Sequence, residues 1–161
     1  MSVHQSYVRM GTFTQMIYLG ADHRGFELKE KLKSYLTEIG YDWEDRGAFV
    51  YDKDDDYPDF AKAVAESVVQ NAENRGILIC GSGIGIAIAA NKIKGIRAGT
   101  VMKPEQAEWA VDDEDLNVLA LSAKSLSQEE TQAIVKTFLE IKFSGAERHI
   151  RRINTIKDLE K

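Results

Sequence analysis

Apolar residues along the chain alternate between short continuous runs and stretches of helical period, and that alternation predicts the elements. Residues 16–20 (MIYLG) form an apolar run closed by glycine, the pattern of a buried strand. Leu28, Leu32, Tyr35, Leu36 and Ile39 then recur at helical spacing, and Gly40 stops the helix. Residues 41–45 (YDWED) alternate weakly, as a strand with one wet face. Residues 50–59 are a polar acidic loop. Pro58 stands where a helix can begin, with Phe60, Val64 and Val68 as its apolar stripe. Residues 76–80 (GILIC) are the clearest buried strand. A glycine-rich turn and a helix of small residues over 84–92 follow it. A fourth strand is predicted over 96–101, a helix over 104–111 and a fifth strand over 118–121. Ser127 and Glu130 make a capping-box pair ahead of Ile134, Phe138 and Ile141. A basic tail, residues 147–161, ends the chain.

Five short strands separated by helices imply an α/β fold: a three-layer, Rossmann-like arrangement with a five-stranded parallel sheet, helices on both faces and a helical tail. Ligands of such sheets bind at the carboxyl ends of the strands, near the point where strand order reverses. The segments GADHRG (20–25) and CGSGIG (80–85) end the first and third strands and are the places to look.

Composition narrows the class. The chain has 161 residues with 29% charged and 43% hydrophobic, the range of one soluble domain. A net charge of −5 argues against broad binding to nucleic acid or to an anionic membrane. No apolar run is long enough to cross a bilayer. Residues 1–15 lack the apolar stretch of a signal peptide and read as a flexible leader or a cloning remnant, so a cytoplasmic location is expected. The single cysteine, Cys80, excludes an intrachain disulfide.

The glycine turn carries the strongest chemical signal. Gly81, Gly83 and Gly85 follow a strand and open a helix, where free amides attract an anion. The spacing G-x-G-x-G misses the dinucleotide fingerprint, and no G-K-[ST] follows, so an anion smaller than a dinucleotide fits better. Cys80 at the strand end is either a small core residue or a thiol able to take a proton. Ser82 can donate to a substrate oxygen or cap the helix. Asp22 and His23 can bind hydroxyls and move protons, or cap a helix beside a solvated imidazole. Arg148, Arg151 and Arg152, flanking His149, can share a phosphate or form a solvated basic face. In the acidic run 52–56 the reading is a solvated loop, with Asp56 and Tyr57 nearest the next helix and so the residues with reach to a site. No cluster has zinc-like spacing, and no metal or other cofactor is expected.

The segments GADHRGFELKEKL, DYPDFA, RGILICGSGIGIAIAANK, GIRA, NVLAL and RHIRR, in this order, resemble the ribose-5-phosphate isomerase B family, which includes galactose-6-phosphate isomerase subunits. The similarity runs from about residue 16 to about residue 152, so residues 16–161 are expected to form a single sugar-phosphate isomerase domain. The resemblance implies interconversion of ribose 5-phosphate and ribulose 5-phosphate through a cis-enediolate, as in the pentose phosphate pathway. It implies Cys80 as the base, Ser82 as the group handling the hydroxyl proton, and Gly81, Gly83 and Gly85 as amide donors to the oxyanion. Asp22, His23, Asn91 and Lys124 are implied as substrate-binding residues. Arg148, His149 and Arg152 are implied as phosphate-binding residues, in a homodimer or homotetramer with shared active sites. Three departures from the family pattern stand out. Asp113-Glu114 replaces a His-Asn pair whose His assists ring opening, Lys124 replaces an arginine, and Arg24 replaces a small residue. Asp113 is therefore expected as the replacement ring-opening group, with another group such as His23 as the alternative. The departures keep two rivals in play: an isomerase of another sugar phosphate such as allose 6-phosphate or galactose 6-phosphate, and a non-catalytic sugar-phosphate-binding homologue.

Overall fold

The computed structural model describes residues 15–161; the expected leader lies outside the described residues except for Gln15. Five strands are present: β1 (Ile17–Ala21), β2 (Trp43–Asp45), β3 (Arg75–Cys80), β4 (Ala98–Thr100) and β5 (Val118–Ser122). Between and after them run α1 (Phe26–Glu38), α2 (Tyr57–Val68), α3 (Ile84–Ala90), α4 (Pro104–Glu114), α5 (Gln128–Glu140) and α6 (Glu147–Asp158). The strands form one sheet in the order β2-β1-β3-β5-β4, and every pair is parallel. Strand order therefore reverses between β1 and β3, which opens a crevice beyond their carboxyl ends. The α/β expectation holds.

Side chains alternate across each strand and divide the core in two. Ile77 and Ile79 of β3 face one way, into a cluster with Leu19, Leu32, Leu36, Leu119, Ile134 and Phe138. Leu78 and Cys80 face the other way, into a cluster with Val64, Val68, Ile86 and Ala120. The β3 strand is thus covered on both faces, which explains why it reads as a continuous apolar run rather than an alternating one.

Several boundaries differ from the sequence pattern. The fourth strand is three residues, not six. Just before it, the Arg97 amide donates to the Asn117 side-chain oxygen rather than to a strand carbonyl, and the Arg97 guanidinium reaches the Glu114 and Asp115 carbonyls and the Asp115 carboxylate. The helix expected over 104–111 continues to Glu114 and stops where Asp115 turns left-handed, with φ of +48°. The capping box of Ser127 and Glu130 forms in both directions. The basic tail is an amphipathic helix that buries His149 and Ile153 and leaves Arg148, Arg151 and Arg152 exposed.

Lys29 breaks the apolar pattern from inside. It lies within α1 and is fully buried. Its Nζ donates to both carboxylate oxygens of Asp45, at 2.7 and 2.8 Å, and to the Ala48 carbonyl. Asp45 also accepts from Lys33 Nζ and from the Gly47 amide. Burial pushes the Asp45 carboxyl upward, but the bonds from Lys29, Gly47 and Lys33 together outweigh it and hold the group below its ordinary value. This pair ties α1 to the end of β2.

Removing one partner strands the other in a dry site, so Asp45→Asn is expected to cost about 3 kcal/mol in denaturant unfolding. The carboxyl is depressed in the folded state, so its stabilisation is present above the unfolded carboxylate value of about 3.9 and is lost as pH falls through the folded value. A plot of Tm against pH should therefore lose part of its acid slope in Asp45→Asn.

Candidate active site

The turn from β3 into α3 is built around its own sulfur. Cys80 is the last residue of β3 and is 4% exposed. The Gly83 amide donates to Cys80 Sγ at 3.2 Å, the polarity that suits a proton-accepting sulfur. The Ser82 hydroxyl accepts from the Ile84 amide at 3.1 Å. Of the amides expected to serve an oxyanion, that of Gly83 is therefore already occupied by Cys80. Gly83 has φ of +73°, and a Cβ there would lie 2.9 Å from the Leu121 carbonyl carbon. Thr100 Oγ1 donates to the Gly83 carbonyl at 2.7 Å, and Ser122 Oγ donates to the Gly81 carbonyl at 2.8 Å. The ends of β4 and β5 thus clamp the turn. A Cβ on Gly85 would lie 2.7 Å from the Tyr57 ring, so that glycine makes room for Tyr57 at the start of α2.

The end of β1 lies alongside. Register pairs Ala21 with Ile79, and a Cβ on Gly25 would lie 2.4 Å from the Ile79 carbonyl oxygen, so the β1–α1 turn is pressed against the end of β3. Asp22 is 4% exposed, and its Oδ1 accepts from the Arg24 and Gly25 amides. His23 is held by Asp55. Oδ1 of Asp55 accepts from the His23 amide at 2.9 Å and lies 2.7 Å from His23 Nδ1. The Asp55 side chain is only 10% exposed, and its Oδ2 is buried with no hydrogen-bond partner. One ligand atom each from Asp22, His23 and Asp55 falls within 4.8 Å of the others. Asp22 Oδ1, His23 Nδ1 and Asp55 Oδ1 are already joined to protein groups, and Asp55 Oδ2 is buried with no partner.

Two cations stand over Gly81. A Cβ there would lie 2.8 Å from Arg24 Cδ and 3.3 Å from Lys124 Cε. Both residues are exposed, and the Lys124 amide donates to the Gly81 carbonyl at 3.0 Å. Arg24 and Lys124 therefore supply positive charge at the mouth of the crevice.

The remaining candidates lie elsewhere. Asn91 is past the far end of α3, where its amide nitrogen donates to the Ala98 carbonyl and its oxygen accepts from the Ala98 amide, both at 2.8 Å. That is a correction to its expected role: within this chain Asn91 ties α3 to β4, and both side-chain polar atoms are committed to the backbone. Asp113 sits in the last turn of α4, before β5 begins, so it belongs to the amino ends of the strands. A five-residue strand separates that end from the level of Cys80, roughly 15 Å. Helix α6 stays at the same end: Ser144, just before it, bonds the Asp112 carbonyl, and Glu160, just after it, accepts from the Gly95 amide. His149 is 4% exposed, with Nε2 3.3 Å from Asp113 Oδ1. That pair is within ion-pair distance but is not aligned as a hydrogen bond, since both ring nitrogens lack hydrogen-bond partners. His149 is thus turned into the α4–α6 seam, unlike exposed Arg148 and Arg152. A groove of about 770 Å³ is also at this end, lined by Arg97, Ala110, Glu114, Ile156 and Leu159 among others. It is remote from Cys80.

Asp55 is the main residue that sequence reasoning missed. It lies inside the acidic run read as solvated, and burial singles it out from Asp52, Asp54 and Asp56, which stay exposed. Ser122 and Thr100 were also unremarked; their positions at strand ends were the available signal.

A parallel sheet with a nucleophilic side chain in a glycine turn at its carboxyl edge, flanked by an acid, an imidazole and cations, defines a class of α/β enzymes acting on small anionic substrates. The chain belongs to the ribose/galactose isomerase family, whose model matches residues 17–156. It is 39% identical to ribose-5-phosphate isomerase B of Mycolicibacterium paratuberculosis, covering 90% of this chain and 91% of that one. It is similar to the crystal structure of ribose-5-phosphate isomerase B from Mycoplasma genitalium with bound ribulose 5-phosphate, at 40% identity and a TM-score of 0.87, over 90% of this chain and 95% of that one. The Thermotoga maritima ribose 5-phosphate isomerase structure matches at 42% identity and a TM-score of 0.85, over 89% and 98% of the two chains.

Gly81 and Gly83 should respond differently to a methyl group. Gly83→Ala forces a side chain into a left-handed backbone against the Leu121 carbonyl and is expected to cost about 2 kcal/mol. Gly81→Ala displaces only the flexible Arg24 stem and should cost under about 0.5 kcal/mol. Chemical denaturation of the two variants checks the contrast.

Proposed function

We propose that this chain is a cytoplasmic aldose–ketose isomerase that interconverts ribose 5-phosphate and ribulose 5-phosphate through a cis-enediolate. The observation that carries the reading is Cys80, set at the edge of the crevice with the Gly83 amide on its sulfur. Cys80 takes the proton from C2 of the open-chain aldose and returns it to C1. The electron pair released at C2 forms the enediolate, and its oxygen charge is met by the amides of the turn. Ser82, one residue past Gly81, moves the proton between the two substrate oxygens. Asp22 and His23 hold the hydroxyls of the sugar. Family membership supports this chemistry, as does the ribulose 5-phosphate bound in the Mycoplasma genitalium relative. No helix among the described residues is long and apolar enough to cross a membrane.

The phosphate end of the substrate needs a second copy of the chain. Arg148 and Arg152 lie on α6, whose ends are tied to the amino-end side of the sheet, while Cys80 lies at the carboxyl end. In the reading proposed here they grip the phosphate in the neighbouring subunit's crevice, and Asp113 travels with them. The exposed Ile84 and Ile88, one turn apart on α3 beside the glycine turn, offer an apolar ridge for that contact.

Cys80→Ala is expected to abolish ketose formation from ribose 5-phosphate while the sugar phosphate still binds. Allose 6-phosphate and galactose 6-phosphate belong in the same assay: faster cysteine-dependent turnover on either would reassign the substrate. Binding with no turnover on any of the three would leave a binding protein instead of an enzyme. Shared sites make a separate forecast. Cys80→Ala and Arg152→Ala homo-oligomers are each inactive, but a mixed dimer contains one site with both residues intact. Random re-pairing of equal amounts should restore about a quarter of wild-type activity. No recovery after verified subunit exchange would place each site within one chain.

A further inference from the structure

We propose that His23 and Asp55 form a dyad that opens the furanose ring of the substrate before Cys80 acts, an inference that rests on the isomerase reading above. The chemistry asks for two separate proton carriers. An aldose phosphate in water is mostly a ring in which C1 is tied up as a hemiacetal, so its C2 proton is not acidic. Cys80 has a proton to take only after C1 has become a carbonyl. Ring opening therefore needs another group, beside Cys80, that accepts and returns a proton near neutral pH, and imidazole is the side chain suited to that task.

The described residues include two histidines. His149 is turned into the α4–α6 seam at the amino ends of the strands. His23 follows β1 directly, in the turn pressed against the end of β3, with its neighbour Arg24 lying over Gly81. Its ring is not free to rotate. Asp55 Oδ1 holds both the His23 amide and Nδ1, at 2.9 and 2.7 Å, and the Tyr51 ring meets the imidazole edge-on with centroids 6.4 Å apart. A carboxylate on Nδ1 selects the tautomer with its proton there, which leaves the lone pair on Nε2. No described protein group bonds Nε2, and the His23 side chain keeps 22% of its surface open. Asp55 is thus a positioning residue: 10% exposed, recruited from an otherwise solvated acidic loop, and carrying a buried Oδ2 with no partner. A carboxylate whose only role was structural would be expected to use that oxygen.

The step balances without any co-reactant. His23 Nε2 takes the proton of the anomeric hydroxyl on O1, and the O1 electron pair forms the C1=O1 bond. The C1–O4 bond breaks with its pair on O4, and the imidazolium returns the proton to O4. Both oxygens are attached to C1, so one imidazole can serve them in turn.

The test separates ring opening from isomerisation. Cys80→Ala, which cannot form ketose, still exchanges the α and β anomers of ribose 5-phosphate through the open chain if the dyad works. Exchange NMR at saturating substrate should show Cys80→Ala accelerating that exchange over the uncatalysed rate. Adding His23→Asn should remove about 100-fold of the enhancement. Adding Asp55→Asn should lower it as well, with the dissociation constant for ribose 5-phosphate unchanged within about twofold and the 15N signature of a fixed Nδ1–H tautomer lost. The Asp55 variant keeps the proposal testable should His23→Asn fail to fold. Full exchange in a folded His23→Asn or Asp55→Asn background would overturn it. So would no enhancement in Cys80→Ala, or an enhancement that disappears with Asp113→Asn and survives loss of His23. Ketose formation by the wild type reports the isomerase reading independently, so failure of one is distinguishable from failure of the other.

Discussion

The β3 strand is the constraint on which the molecule depends. It is hydrogen-bonded on one side to β1 and on the other to β5, and it is covered by helices on both faces. A strand buried on all four sides cannot slip in register without moving apolar side chains out of both core clusters. Its last residue is Cys80, so the rigidity of the sheet becomes the rigidity of the sulfur. The flanking strand ends then act as clamps, with Ser122 on the Gly81 carbonyl and Thr100 on the Gly83 carbonyl. The turn needs this support because α3 is only seven residues long and its first turn opens from a left-handed glycine.

Two partly buried carboxylates show how the same residue type is given different work. Asp45 is saturated: Lys29, Lys33 and the Gly47 amide occupy its oxygens, and it joins α1 to β2. Asp55 puts both of its bonds on one oxygen and leaves the other bare. A fully paired carboxylate makes a joint, while a half-paired one costs stability and is kept for what it orients. The difference places Asp45 in the scaffold and is what the proposed dyad draws on at Asp55.

The sheet also divides the polar groups between its two ends. Cys80, Ser82, Asp22, His23, Asp55, Arg24 and Lys124 gather beyond the carboxyl ends of the strands. Asp113, His149, Arg148 and Arg152 gather beyond the amino ends. In a parallel sheet, a helix that follows a strand must return to the other end before the next strand begins, so residues at the start and at the end of α4 are separated by its length. A site that uses both groups has to be assembled from two copies, so subunit pairing and catalysis become one question.

The sequence by itself determined the order of strands and helices, the parallel α/β class and the position of the glycine turn after the third strand. Those depend on local periods and on turn residues, which act over a few positions. It also placed Cys80, Ser82, Asp22 and His23 at strand ends, because strand ends are readable from where apolar runs stop. Only the tertiary structure decided which polar residues meet. Asp55 and His23 are 32 positions apart, and nothing local separates Asp55 from its acidic neighbours until folding buries it. The family resemblance implied Asn91 as a substrate-binding residue, and the length of α3 carries it to the far end, where it bonds Ala98. Nothing local marks Lys29, one of several charged positions in α1, as the one buried on Asp45. Pairing of distant polar groups is fixed by how the layers close on one another, and periodicity along the chain holds no record of that geometry.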